Sequence, residues 1–85
     1  MIGTPTRIVH LQDNGQDFLE WHLDDAGTVV DCQPFQGWLW CGSRVTNLAE
    51  LAPGVQIRFI PARPNAPEIL LRHLVQRVET VPCPN

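Results

Sequence analysis

Thr28–Val45 reads TVVDCQPFQGWLWCGSRV, two short strands folded back on each other. It holds two of the three tryptophans and two of the three cysteines. Thr28–Gln33 is rich in β-branched residues and reads as a strand. Pro34 cannot donate to a ladder, so the strand ends or lies at an edge there. Gln36-Gly37 is a turn signal, and Trp38–Val45 is the return strand. With Gln36-Gly37 as the loop, Phe35 opposes Trp38 and Cys32 opposes Cys41. One face then carries Asp31, Gln33, Phe35, Trp38, Trp40, Gly42 and Arg44. The other carries Val30, Cys32, Pro34, Leu39, Cys41, Ser43 and Val45, and is the more uniformly apolar. Packing that second face inward leaves Phe35, Trp38 and Trp40 outside beside Arg44. Exposed aromatics next to arginine stack bases or grip peptides.

The preceding segment argues for the opposite packing. Arg7–Gln12 alternates as a strand, Asp13-Asn14-Gly15 signals a hairpin turn, and Asp17–Leu23 returns. A three-residue Asp13-Asn14-Gly15 loop sets Leu11 opposite Asp17 and Val9 opposite Leu19. Val9, Leu11, Leu19, Trp21 and Leu23 then share one face. Ile8, His10, Phe18, Glu20 and His22 share the other. Asp24-Asp25-Ala26-Gly27 is the next turn. If its loop is Asp25-Ala26-Gly27, Leu23 pairs with Val29 and Trp21 with Asp31. Trp38 and Trp40 then fall on the Leu19/Trp21/Leu23 face, in the core. A slip of one residue in that turn reverses the outcome, because side chains alternate with a period of two.

Beyond Val45 the pattern changes. Asn47–Leu51 reads as a single helical turn capped by Thr46 or Asn47, stopped by Pro53-Gly54. Val55–Ile60 reads as a strand with Val55, Ile57 and Phe59 on one face. Pro61–Pro67 holds three prolines and is a loop. Ile69–Val81 admits two readings. Asn65-Ala66-Pro67-Glu68 has the form of a capping box, which would start a helix. As a strand the segment sets Leu70, Leu74 and Val78 at even spacing, with Arg72 and Gln76 between them. The strand reading is favoured, since Val55–Ile60 needs an antiparallel partner. The expected fold is all-β: an antiparallel SH3-like barrel of five or six strands with one short helical turn, spanning residues 1–81, and residues 82–85 as a frayed tail. An oligonucleotide-binding-type barrel, or an antiparallel sheet covered by a C-terminal helix, is the alternative.

Composition narrows the function classes. Eighty-five residues form one domain with a thin stability margin. No apolar run is long enough to span a membrane, and MIGTPTRIVH lacks the pattern of a secretion signal, so a cytoplasmic location and no membrane partner are expected. Three cysteines without a CxxC read as reduced thiols, not as a zinc site or a disulfide. The net charge of −3 disfavours a general nucleic-acid binder. Its distribution is uneven. Residues 1–31 set Arg7 against Asp13, Asp17, Glu20, Asp24, Asp25 and Asp31, a net −5. Residues 32–85 set Arg44, Arg58, Arg63, Arg72 and Arg77 against Glu50, Glu68 and Glu79, a net +2. Every fixed positive charge is an arginine, which favours planar, directed contacts, although base composition of a GC-rich genome explains the same bias.

No catalytic triad, phosphate loop or paired-carboxylate motif is present, and Ser43 in CGSR lacks the strand–turn–helix context of a nucleophile. His10, His22 and Glu20 share a face, and a His–Glu pair can move protons; a solvated polar sheet face accounts for the same residues. The expectation is therefore a non-enzymatic interaction module without a cofactor, binding another protein or itself. Its candidate surface is Phe35, Gln36, Trp38, Trp40, Arg44, Arg58 and Arg72. A single-stranded nucleic-acid binder is the alternative, with the aromatics as stacking platform and Arg44, Arg58 and Arg72 on phosphates.

The run LQDNGQDFLEWHLDDAGTVVDCQPFQGWLWCG resembles small uncharacterised accessory proteins of bacterial integrative and conjugative elements and plasmids. The likeness lies in overall pattern from Thr6 to about Val55, and again near Val75–Glu79. It implies a proteobacterial cytosolic accessory protein of mobile DNA and a strand for the last segment. It contains no ligand motif, so it implies no site residue.

Overall fold

The computed structural model describes residues 5–13, 17–33 and 40–81, with the side chain of Asp17 left aside. The chain forms an antiparallel sheet: β1 Arg7–Asp13, β2 Asp17–Leu23, β3 Val29–Gln33, β4 Arg44–Val45, β5 Gln56–Ile60 and β6 Ile69–Thr80. The spatial order is β3-β2-β1-β6-β5-β4. The last strand thus returns to the middle and joins two three-stranded halves. One 3-10 turn, Leu48–Glu50, interrupts the strands. The all-β reading holds, and Ile69–Thr80 is a strand paired with both β1 and β5. The capping-box helix is not formed; Asn65 instead turns the chain with φ 57°.

The sheet does not close into the expected SH3-like barrel. Thr28 and Arg44 form an isolated antiparallel bridge between the two sheet edges. Val29 N–H donates to Ser43 O at 2.8 Å, Gly42 N–H to Val29 O at 2.8 Å, and Val45 N–H to Gly27 O at 2.9 Å. The edges meet there and are not paired as a continuous ladder. The expected strand Trp38–Val45 is correspondingly short among the described residues. Trp40–Gly42 is a turn, and Gly42 adopts φ +88°, which extended pairing does not tolerate.

The first hairpin shows how a register can shift without changing a face. Val9 pairs with Trp21 and Leu11 with Leu19, two residues along from the expected partners. An even shift preserves alternation. Val9, Leu11, Trp21 and Leu23 are accordingly buried together, with Leu19 packed against them. Ile8, His10, Phe18, Glu20 and His22 lie on the outer face, as their spacing implies.

The second turn behaves differently. Leu23 pairs with Val29 as expected, but a bulge then sets Trp21 opposite Cys32 instead of Asp31. One extra residue lets Val29 and Cys32 both point inward, so neither regular alternation describes β3. Trp21 sits at the centre of the core. Its ring lies 5.2 Å from Phe59 in an edge-on arrangement and 6.2 Å from Trp40. Trp40 is in turn 5.1 Å from Phe59. Trp21 and Trp40 are thus core aromatics, which an 85-residue domain needs to fill its interior.

Asn47 closes the free side of β5. It does not cap the 3-10 turn with its side chain. Its Nδ2 donates to Gln56 O at 3.0 Å and its Oδ1 accepts from Arg58 N–H at 3.0 Å. Thr46 N–H donates to Arg58 O at 2.8 Å. A buried amide thus does the work of a neighbouring strand and covers an edge that would otherwise invite pairing.

Candidate functional site

Three of the expected surface residues, Phe35, Gln36 and Trp38, lie outside the described residues, as does the Gln36-Gly37 turn. Trp40 is half-buried and packs into the core, so it is not the exposed platform that the outward packing of the hairpin would make it. Arg44, Arg58 and Arg72 are all exposed. Strand pairing brings these three into one region. Arg44 pairs with Ile60, two residues from Arg58 on β5. Arg58 pairs with Leu70, two residues from Arg72 on β6. The arginines form a diagonal across β4, β5 and β6. Arg72 Nε contacts Asp13 Oδ2 at 2.9 Å, yet its side chain stays 79% exposed. Arg44 and Arg58 have no ion-pair partner among the described residues.

The apolar part of this surface comes from a strand parity that sequence spacing left open. Leu71 and Val75 point inward. Leu70 and Leu74, with Arg72 between them, point outward at 53% and 41% exposure. Val78 lies beyond a second bulge and pairs with buried Val9, so it belongs to the margin of the other face. Beside Arg58 and Leu70 lies a shallow cavity of about 400 Å³, lined by Asn47, Glu50, Val55, Gln56, Arg58 and Leu70. Its floor is held still: Asn47 grips the Gln56 and Arg58 backbone, and Gln56 Nε2 donates to Leu71 O at 3.2 Å. Arg58 and the apolar side chains of Val55 and Leu70 suit an apolar side chain carried next to a carboxylate, provided that carboxylate lies away from Glu50 in the same lining.

A second patch occupies the outer face of β1, β2 and the end of β6. His10 Nε2 lies 3.0 Å from Glu79 Oε1, and His22 Nε2 lies 3.2 Å from Glu20 Oε1. Glu79 Oε1 is also 3.8 Å from Arg77 Nη2. A groove of about 670 Å³ runs beside His10, Gln12, Phe18, Glu20, Gln33 and Arg77. Each histidine is oriented by a carboxylate, as proton transfer requires. Neither of the two described cysteines supplies a nucleophile nearby: Cys32 is buried beneath the sheet, and burial pushes its thiol up to about 12, with Cys41 and Asp31 adding to the effect. Cys41 is raised too, by burial and then by Asp31, and its Sγ donates to Val30 O at 3.7 Å. Both are free thiols. Among the described residues, no three His, Cys, Asp or Glu side chains gather as metal ligands, and no helix is long and apolar enough to cross a membrane.

No known family matches the chain. Curated proteins and solved structures likewise give no significant match. The reading of the surface therefore rests on its own chemistry.

Sequence spacing did not single out Phe18, Leu70 or Leu74 as exposed, nor Asn47 as a buried clamp. For Phe18 the signal was present, since it shares a face with His10, Glu20 and His22. For Leu70 and Leu74 the deciding information was which of two apolar faces the core would accept. Asn47 gave no signal, because the contacts it makes are with residues nine and eleven positions away.

Proposed function

We propose that this protein is a non-enzymatic interaction module whose binding surface is the outer face of β4, β5 and β6. The observation that carries the reading is the cavity beside Arg58 and Leu70 within the Arg44–Arg58–Arg72 diagonal. Its ligand is a protein segment that presents a large apolar side chain next to a carboxylate. Arginine gives such a contact direction, and the apolar wall gives it affinity. The patch is modest, so the complex is weak and salt-sensitive. In a cell that carries it, an accessory role for mobile DNA is the setting the sequence resemblance suggests. Support for single-stranded nucleic acid as the ligand is thinner. That reading needs an aromatic platform beside the arginines; Phe35 and Trp38 lie outside the described residues, and the Trp40 ring lies against Trp21 and Phe59.

Fluorescence anisotropy with three labelled probes tests the proposal: a peptide alternating phenylalanine with glutamate, its lysine counterpart, and oligothymidylate. The acidic peptide is expected to bind, with affinity lowered about tenfold by Arg58→Glu, the equivalent of about 1.4 kcal/mol. Preference for oligothymidylate, or equal binding of the acidic and lysine peptides, overturns it.

A further inference from the structure

We infer that the segment this surface accepts is carried by the chain itself, so that copies associate by docking β2 of one onto the β5–β6 surface of the next. The inference rests on the binding surface proposed above and adds its occupant.

The first argument is charge. The sheet order places β1, β2 and β3 side by side and β4, β5 and β6 side by side. The sequence asymmetry therefore becomes a spatial one. Arg7 stands against six carboxylates in the first half, and five arginines stand against three glutamates in the second. Asp13 is paired with Arg72, but local contacts leave other acidic charge among the described residues uncompensated. Asp24 Oδ1 accepts from Ala26 N–H and Thr28 N–H, and Asp31 accepts from Cys32 N–H and the Gln33 amide, all neutral donors. Glu20 is held by His22, not by an arginine.

The second argument is shape chemistry. Phe18 is 63% exposed, the most exposed large hydrophobic among the described residues. Glu20 follows it on the same outer face of β2, so an aromatic ring and a carboxylate project side by side. That is the pair the Arg58/Leu70 cavity accepts: ring against Leu70 and Val55, carboxylate on the Arg58 guanidinium. The two patches are different and lie on different strands, so the contact is heterologous. Opposite charge on the two faces also speeds encounter and makes it salt-dependent.

Sedimentation of charge- and shape-altered copies tests this directly. One variant, Phe18→Ser with Glu20→Gln, loses the projecting pair and keeps the cavity. The other, Arg58→Glu with Leu70→Ser, loses the cavity and keeps the pair. All four positions are on the outer face, and an unchanged thermal midpoint verifies each fold. Wild-type protein is expected to rise in average mass with concentration at low salt, and to return to monomer near 1 M NaCl, where the Debye length is about 3 Å. Each variant alone is expected to stay monomeric. Mixed together, they are expected to form a one-to-one pair, because one intact pair meets one intact cavity. Wild-type protein that stays monomeric up to roughly 1 mM, weaker than any functional self-association, overturns the inference. So do variants that associate alone, or that ignore each other when mixed. A monomeric wild type that still binds the acidic peptide removes the inference and leaves the proposed function standing.

Discussion

At the scale of single residues, two buried polar groups carry consequences that no surface position shares. Asn47 satisfies a carbonyl and an N–H on β5 from a position 7% exposed. Asn47→Ala leaves both groups without a partner in a buried setting. The expected loss is about 2 kcal/mol in a urea titration, with faster hydrogen exchange at the Arg58 amide. Cys32 gives a pH signature to which Cys41, whose thiol is raised as well, also contributes. Its thiol is raised from 9.0 to about 12 in the folded chain, so folding favours the protonated form. That contribution is whole below pH 9 and is lost as pH climbs from 9 towards 12, because the unfolded chain releases its proton first. The chain has no tyrosine and no lysine, so only thiols and arginines titrate in that range. The thermal midpoint is expected to fall through this window in a Cys83→Ser background, and to fall less steeply when Cys32→Val is added.

At the scale of elements, β6 is the strand on which core and surface divide. Leu71→Ala removes a side chain packed into the interior and is expected to cost about 2–4 kcal/mol, whereas Leu70→Ser next to it stays within about 0.5 kcal/mol. Equal losses at the two positions would mean that the strand faces the other way. The same strand shows what spacing can and cannot tell. Spacing in Ile69–Val81 admitted both a helix and a strand, and the need of Val55–Ile60 for an antiparallel partner favoured the strand, which forms over Ile69–Thr80. Both faces of β6 carry leucines, however, so periodicity alone left open which face the core accepts. Faces were legible in the first hairpin because the register error there was even. They were not legible in β3, where one bulged residue lets Val29 and Cys32 point the same way. Bulges are set by sheet twist and by contacts across the core, here Trp21 against Cys32, and leave little trace in the strand that contains them. Gly42 is the partial exception: a glycine inside an otherwise alternating run marks a break, and the strand does break there.

At the scale of the whole molecule, topology turns a charge asymmetry along the chain into one across the sheet. The arginines expected to form a surface are brought into one diagonal by pairing between residues far apart in sequence: Arg44 with Ile60, and Arg58 with Leu70. Of the two tryptophans expected beside them, Trp38 lies outside the described residues and Trp40 is drawn into the core by Trp21 and Phe59, since a small domain has few large side chains with which to fill itself. Among the described residues, the outer face of β4, β5 and β6 is left with guanidinium groups beside Leu70 and Leu74 and a cavity with a braced floor. Amide chemical-shift mapping during titration with the phenylalanine–glutamate peptide tests that surface most directly. Shifts are expected to concentrate at Val55, Gln56, Arg58, Leu70, Arg72 and Leu74, with the interior amides of Trp21 and Leu23 unmoved. Shifts centred instead on His10, Glu20 and Glu79, or spread evenly over the sheet, would contradict the proposed surface.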